Sequence, residues 1–81
     1  MTEADFCQLY FQTCIGGNAP AGGYSALDDC KTAYANLTFD NTRKCRSYHV
    51  CNAVSYDTLN AQAHCGHAVG IALCVDDGSG Q

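Results

Sequence analysis

Apolar residues recur at helical spacing in four stretches, separated by polar and glycine-rich breaks. In the first, Thr2-Glu3-Ala4-Asp5 has the form of a capping box, and Phe6, Leu9, Tyr10 and Thr13 follow at helical offsets. Cys7 and Cys14 lie one heptad apart on that helix and share a face. Gly16, Gly17, Pro20, Gly22 and Gly23 end it. Ser25-Ala26-Leu27-Asp28 predicts a second cap of the same form, opening a helix to about Asn36 with Leu27, Cys30, Tyr34 and Leu37 on its inner stripe. Asp40-Asn41-Thr42 offers the third N-cap, for a helix from Arg43 to Val54. A cap at Asp57 or Thr58 starts the fourth, which runs through Ala68 and is closed by Gly70. Ile71-Ala72-Leu73-Cys74-Val75 is too short for a further helix and is expected to cross the bundle as an extended segment. The pattern therefore predicts an all-α fold, a bundle of about four short helices forming one domain over residues 1–75. Residues 76–81 are read as a flexible tail.

Cysteine content changes this picture from an ordinary bundle to a stapled one. Seven cysteines in 81 residues fall in the range of short disulfide-built extracellular chains. A core of this size also needs covalent or metal support, because small chains bury too little apolar surface to offset the entropy of ordering. Export to the cell exterior or the periplasm is the expectation. Met1-Thr2-Glu3-Ala4-Asp5 is acidic where a signal peptide has a basic and then an apolar region, so the chain is expected to begin at a mature end. No apolar run approaches the length of a membrane span, which argues against insertion.

Charge narrows the partners. Eight acidic and four basic residues give a net charge of −4, which repels nucleic-acid phosphates and anionic lipid. Arg43, Lys44 and Arg46 cluster into one small positive spot, read as a solvated helix face. Asn36-Leu37-Thr38 matches a glycosylation sequon, a pattern that arises often by chance. Asp76-Asp77-Gly78 lacks the later glutamate of a calcium loop.

An odd number of cysteines allows three disulfides and leaves one thiol over. There is no Cys-x-x-Cys pair, which counts against a thioredoxin-type redox site and an ordinary zinc ribbon, and no Cys-x-x-Cys-His for covalent haem. Cys45 and Cys51 point to different faces of one helix and are expected to bridge to different neighbours. The leftover thiol is inert and buried, bridges to another chain, or serves as a ligand. Cys65 draws attention because histidines flank it in His64-Cys65-Gly66-His67.

His64 and His67 are i and i+3 on the fourth helix, about 60° apart, so both imidazoles can reach one ion. His49 would arrive from the third helix. Three imidazoles, with or without the Cys65 thiolate, suit copper or zinc and not calcium or magnesium. The competing reading has the histidines hydrogen-bond structurally. A haem held by two axial histidines is a lesser option. Cys65 beside a histidine base oriented by Asn60 or Asp57 resembles a nucleophile arrangement. Neighbouring helical residues point apart, however, and so small a bundle has little room for a cleft, so no enzyme is expected.

The chain also resembles small cysteine-rich secreted domains of myxobacterial and planctomycete type, which carry Cys-Arg-x-Tyr-His and later His-Cys-Pro-His-Ala, a Gly and a final Cys. Cys45, Arg46, Tyr48 and His49 match the first motif; His64, Cys65, His67 and Ala68 match the second, followed by Gly70 and Cys74. Cys7, Cys14, Tyr24 and Cys30 fit the upstream pattern. Gly66 replaces the usual Pro, and Cys51 stands where that pattern has no cysteine, which makes it the alternative odd thiol. The resemblance implies secretion and a fold, brings no established activity, and suggests that Arg46, Tyr48 and the three histidines act as one unit. Tyr10, Phe11, Tyr24, Tyr34, Phe39 and Tyr56 are too many for this core to hide. Exposed aromatics would serve self-association or an extracellular partner.

Overall fold

A computed structural model describes all 81 residues as an all-α bundle without strands. Its α-helices are α1 (Glu3–Thr13), α2 (Leu27–Ala35), α3 (Asp40–Cys51) and α4 (Ala61–Ala68). α1 packs chiefly on α2, and α3 chiefly on α4, so two helical pairs face each other. Their shared core is built around Phe6, Tyr10, Tyr34 and Val50, with Phe6 stacked on Tyr34 at a ring separation of 4.5 Å. As the aromatic count predicts, Phe39 and Tyr56 remain exposed, and so does Tyr48, which that count leaves out.

Three disulfides span the elements. Cys7–Cys30 joins α1 to α2, Cys14–Cys65 joins the end of α1 to α4, and Cys45–Cys74 joins α3 to the segment after α4. Cys7 and Cys14 do share the buried face of α1; Cys45 bridges to Cys74, but Cys51, contrary to expectation, does not bridge to a second neighbour. Cys51 is the free cysteine.

Helix ends differ from the sequence expectation in instructive ways. Thr2 and Asp5 form the predicted reciprocal capping box on α1, each backbone N–H donating to the other's side chain at 3.2 Å. Ser25 does not cap α2. The helix starts one residue later at Leu27 behind an Ala26 cap, and the Ser25 hydroxyl donates to Asp29 instead. At the other end of α2, the Arg43 guanidinium gathers the carbonyls of Tyr34, Ala35 and Leu37, and also pairs with Asp40. It supplies the donors that the last turn of a helix lacks. The N-terminus of α3 is capped from a distance: the Asp76 carboxylate accepts from Thr38 N (2.7 Å), Phe39 N (3.2 Å) and Thr42 Oγ1 (2.9 Å). An anion there also complements the helix dipole. The stretch read as a flexible tail therefore lies along the start of α3, where Asn41 Nδ2 also donates to the Gly78 carbonyl at 2.7 Å.

The chain does not leave α3 at Val54 in an ordinary turn. Residues Asn52–Tyr56 form a π-helical turn, closed by Asp57 N donating to Asn52 O at 2.8 Å, and a short 3₁₀ turn, Thr58–Asn60, leads into α4. α4 stops at Gly70 as predicted. Ile71 N donates to Gly66 O and Gly70 N to His67 O, with Gly70 at φ +88°, the paired bonds of a Schellman cap. A side chain at Gly70 would also collide with the Arg46 guanidinium. Residues 71–75 are not extended, contrary to expectation. Ala72 and Cys74 have φ of +69° and +60°, and Leu73 N bonds back to Ile71 O. The bend brings Cys74 inward, fully buried against Cys45, while Ile71, Leu73 and Val75 stay exposed.

The Arg43, Lys44 and Arg46 spot likewise dissolves on inspection. Arg46 is buried, with Nε donating to Cys74 O at 3.0 Å and Nη1 to Tyr24 Oη at 3.3 Å. Two of the three charges thus hold backbone in place.

Three outcomes are expected. Replacing Cys14 and Cys65 together by Ala should lower unfolding free energy by about 4 kcal/mol, the chain-entropy value for a loop of this size, read from denaturant melts. Alkylation of the unreduced, unfolded chain should label Cys51 alone. Asp76 has its carboxyl held below the usual 3.8, chiefly by the Thr38 N–H. Its contribution is therefore complete above that pH and lost as the pH falls through the lower native value. The stability gap between wild type and Asp76→Asn should be constant at neutral pH and close in acid.

Candidate metal centre

α3 ends beside α4, and this packing brings together the three histidines that the sequence singled out. His49 lies on the last turn of α3, and His64 and His67 occupy neighbouring positions on one face of α4. His49 Nδ1 and His64 Nδ1 are 3.0 Å apart. The His49 ring centre is 5.3 Å from that of His64 and 4.7 Å from that of His67. One nitrogen from each ring falls within 4.8 Å of the others. Nitrogens on a tetrahedral zinc, each about 2.05 Å from the ion, lie about 3.3 Å apart. Holding one ion would require these nitrogens to draw in from separations of at most 4.8 Å to that spacing.

Proton placement favours that closure. His64 Nε2 sits 3.0 Å from Asp57 Oδ2, so the carboxylate takes the Nε2–H and leaves the Nδ1 lone pair facing His49. Asp57 is in turn held by Asn60 Nδ2, which donates to both carboxylate oxygens, and its carboxyl is kept below the usual range chiefly by the His64 hydrogen bond. The π-helical turn ends at Asp57 and aims it at α4. Without an ion, a proton on His49 Nδ1 can bridge the two nitrogens. His67 Nδ1 has no such solution: it is buried with no hydrogen-bond partner. A buried ring nitrogen without a partner, on a ring whose centre is 4.7 Å from that of His49, is a candidate ligand atom.

Burial lowers the pKa of His49 and of His67, and the neighbouring histidines push in the same direction. Both rings are therefore neutral at pH 7, the form that binds a metal ion.

Other expected members of the site are elsewhere. Cys65 is not a ligand, because its sulfur is bonded to Cys14, and the same bond removes it as a nucleophile. Cys45 and Cys74 approach His49 as a second cluster of donor atoms, but they are joined to each other and offer no thiolate. Arg46 belongs to Cys74 and Tyr24 and does not join the histidines. Tyr48 packs edge-on against His49 at 5.2 Å with most of its surface in solvent. Asp57, considered from sequence as an N-cap of the fourth helix and as a partner for a catalytic base, instead orients the site, and α4 starts later, at Ala61. Its signal was the interval of seven residues to His64, which is informative only once the intervening turn is known.

No protein-family model matches the chain, and no curated protein or solved structure matches it significantly.

In the metal-free protein, NMR titration should place His49 and His67 below 6.5. Replacing His64 by Asn should move both upward, since one repelling neighbour is gone. Because an unfolded histidine takes up its proton near 6.5 and these two resist it, their contribution to stability should be full above that pH and decline below it.

Proposed function

We propose that this protein is an exported, disulfide-stapled module that binds one copper or zinc ion through His49, His64 and His67. The observation that carries this reading is the convergence of three imidazoles, one of them oriented by a carboxylate and one left with a buried, unpartnered nitrogen. Imidazole donors select late first-row metals over hard cations. Asp57 acts on the metal through His64, holding its tautomer and raising its basicity. Export rests on the three disulfides, which persist in oxidising compartments, and on the resemblance to secreted cysteine-rich domains. The role is binding and not catalysis. A haem between histidines of adjacent helices does not suit the cluster: the His49 ring centre is 5.3 Å from that of His64 and 4.7 Å from that of His67, too close for a porphyrin plane to lie between them.

A second reading draws on the continuous chain Asp57, His64, His49, each link 3.0 Å. It makes the cluster a hydrogen-bonded clasp between α3 and α4, in a domain whose exposed Tyr48, Tyr56 and Leu59 serve assembly.

Calorimetric titration with copper and zinc, with metal content by mass spectrometry, separates the two. The metal reading expects one equivalent per chain, lost in His64→Ala and in His67→Ala. Asp57→Asn should bind about 10- to 100-fold more weakly. Stoichiometric binding that survives both histidine substitutions, or no binding by the wild type, removes the metal reading and leaves the clasp.

A further inference from the structure

The donor set stops at three. Cys65, Cys45 and Cys74 are consumed in disulfides, and the Asp57 carboxylate is engaged with His64 and Asn60. A four-coordinate ion held by three imidazoles keeps one position for an exogenous ligand, the arrangement that separates open metal sites from closed structural ones. Open space borders two of the three histidines. His67 borders a cavity of about 410 Å³ beside Pro20 and Ile71, and His49 borders a groove of about 690 Å³ running along α3. The larger is within the size range of small-molecule sites.

The groove's lining identifies what it suits. Asn41, Lys44, Tyr48 and His49 come from successive turns of α3, and Leu73 closes over them from the bend after α4, with Cys45 and residues 80–81 completing the lining. Lys44 is a free cation. The Arg43 and Arg46 guanidiniums are engaged with backbone carbonyls, Lys31 is on α2, and Lys44 has no acidic partner. Tyr48 and Leu73 expose apolar surface on the same groove, at 62% and 37%. Three neutral imidazoles leave the positive charge of a divalent ion uncompensated, apart from Asp57 behind His64. Metal, ammonium and apolar wall together select an anion with an apolar body.

We propose that the metal centre takes a small apolar monocarboxylate, such as an aromatic acid, from this groove. The inference rests on the metal reading above. The carboxylate displaces a water from the open position, with no change in oxidation state. Lys44 attracts its charge, and its body lies against Tyr48 and Leu73.

The test uses the full chain loaded with Cu(II), its metal content measured first, and titrated with benzoate and acetate while the copper visible and paramagnetic resonance spectra are followed. Both acids should shift the spectra saturably, benzoate at lower concentration. Lys44→Gln should weaken benzoate about two- to fivefold at low salt, with unchanged copper content, and the difference should shrink as salt is added. Tyr48→Ala should abolish the preference for benzoate over acetate. A copper-loaded protein whose spectra ignore both acids has a closed centre, which overturns the open position and leaves metal binding intact. Spectral shifts indifferent to both substitutions overturn the groove as the ligand's seat. A wild type that holds no copper overturns this inference together with the metal reading.

Discussion

The link between Cys14 and Cys65 is the constraint on which the rest of the structure depends. It closes the longest of the three covalent loops and ties the end of α1 to the middle of α4. α4 has only eight residues and no side-chain cap at its start, so local propensity does little to hold it. Its position against α3 comes from that bond, from the buried faces of Ala61, Cys65 and Ala68, and from the histidine contacts. Because Cys65 lies between His64 and His67, the bond anchors the helix at the point where the two imidazoles emerge. The sulfur contributes placement in place of ligation.

A second economy concerns charge. The chain has few cations, and it places two of them where backbone carbonyls lack donors. Arg43 serves the last turn of α2, and Arg46 serves the bend at Cys74. Asp76 performs the converse service at the start of α3. Long-range capping of this kind ties together elements far apart in sequence, which suits a molecule whose apolar core consists mostly of three aromatic rings, small residues and disulfides. The surface that remains is acidic, with Lys44 as its exception on α3.

Much of the fold was legible in the sequence because its signals were local. The Thr2–Asp5 box, the Gly70 stop and the heptad spacing of Cys7 and Cys14 each depend on neighbouring residues only, and each appears as expected. The histidine trio was legible too, since i and i+3 positions share a face of any helix. What failed depended on distant partners. Ser25 matched a cap pattern, but Asp29 offered its hydroxyl an alternative acceptor. The bend at residues 71–75 follows from Cys74 meeting Cys45, and no local pattern encodes a pairing. Cys65 looked like a ligand by its neighbours, whereas its fate was set by Cys14, fifty-one residues earlier. Arg46 and Tyr48, adjacent to the histidines in the motif, are turned away from the cluster or outward by helical geometry.

The widened turn at Asn52–Tyr56 carries a consequence for how such a centre can arise. A π-helical turn is an α-helical one holding a surplus residue, and each surplus residue rotates everything downstream by roughly a quarter-circle. Here that rotation delivers Asp57 to His64. A straight helix of the same composition would pack an apolar face equally well while directing the carboxylate elsewhere. The orientation of the site is thus stored in the length of a connection, so a one-residue insertion or deletion there is a route by which a helical scaffold gains or loses an oriented centre, provided that Cys65 and the buried face of α4 can still be seated.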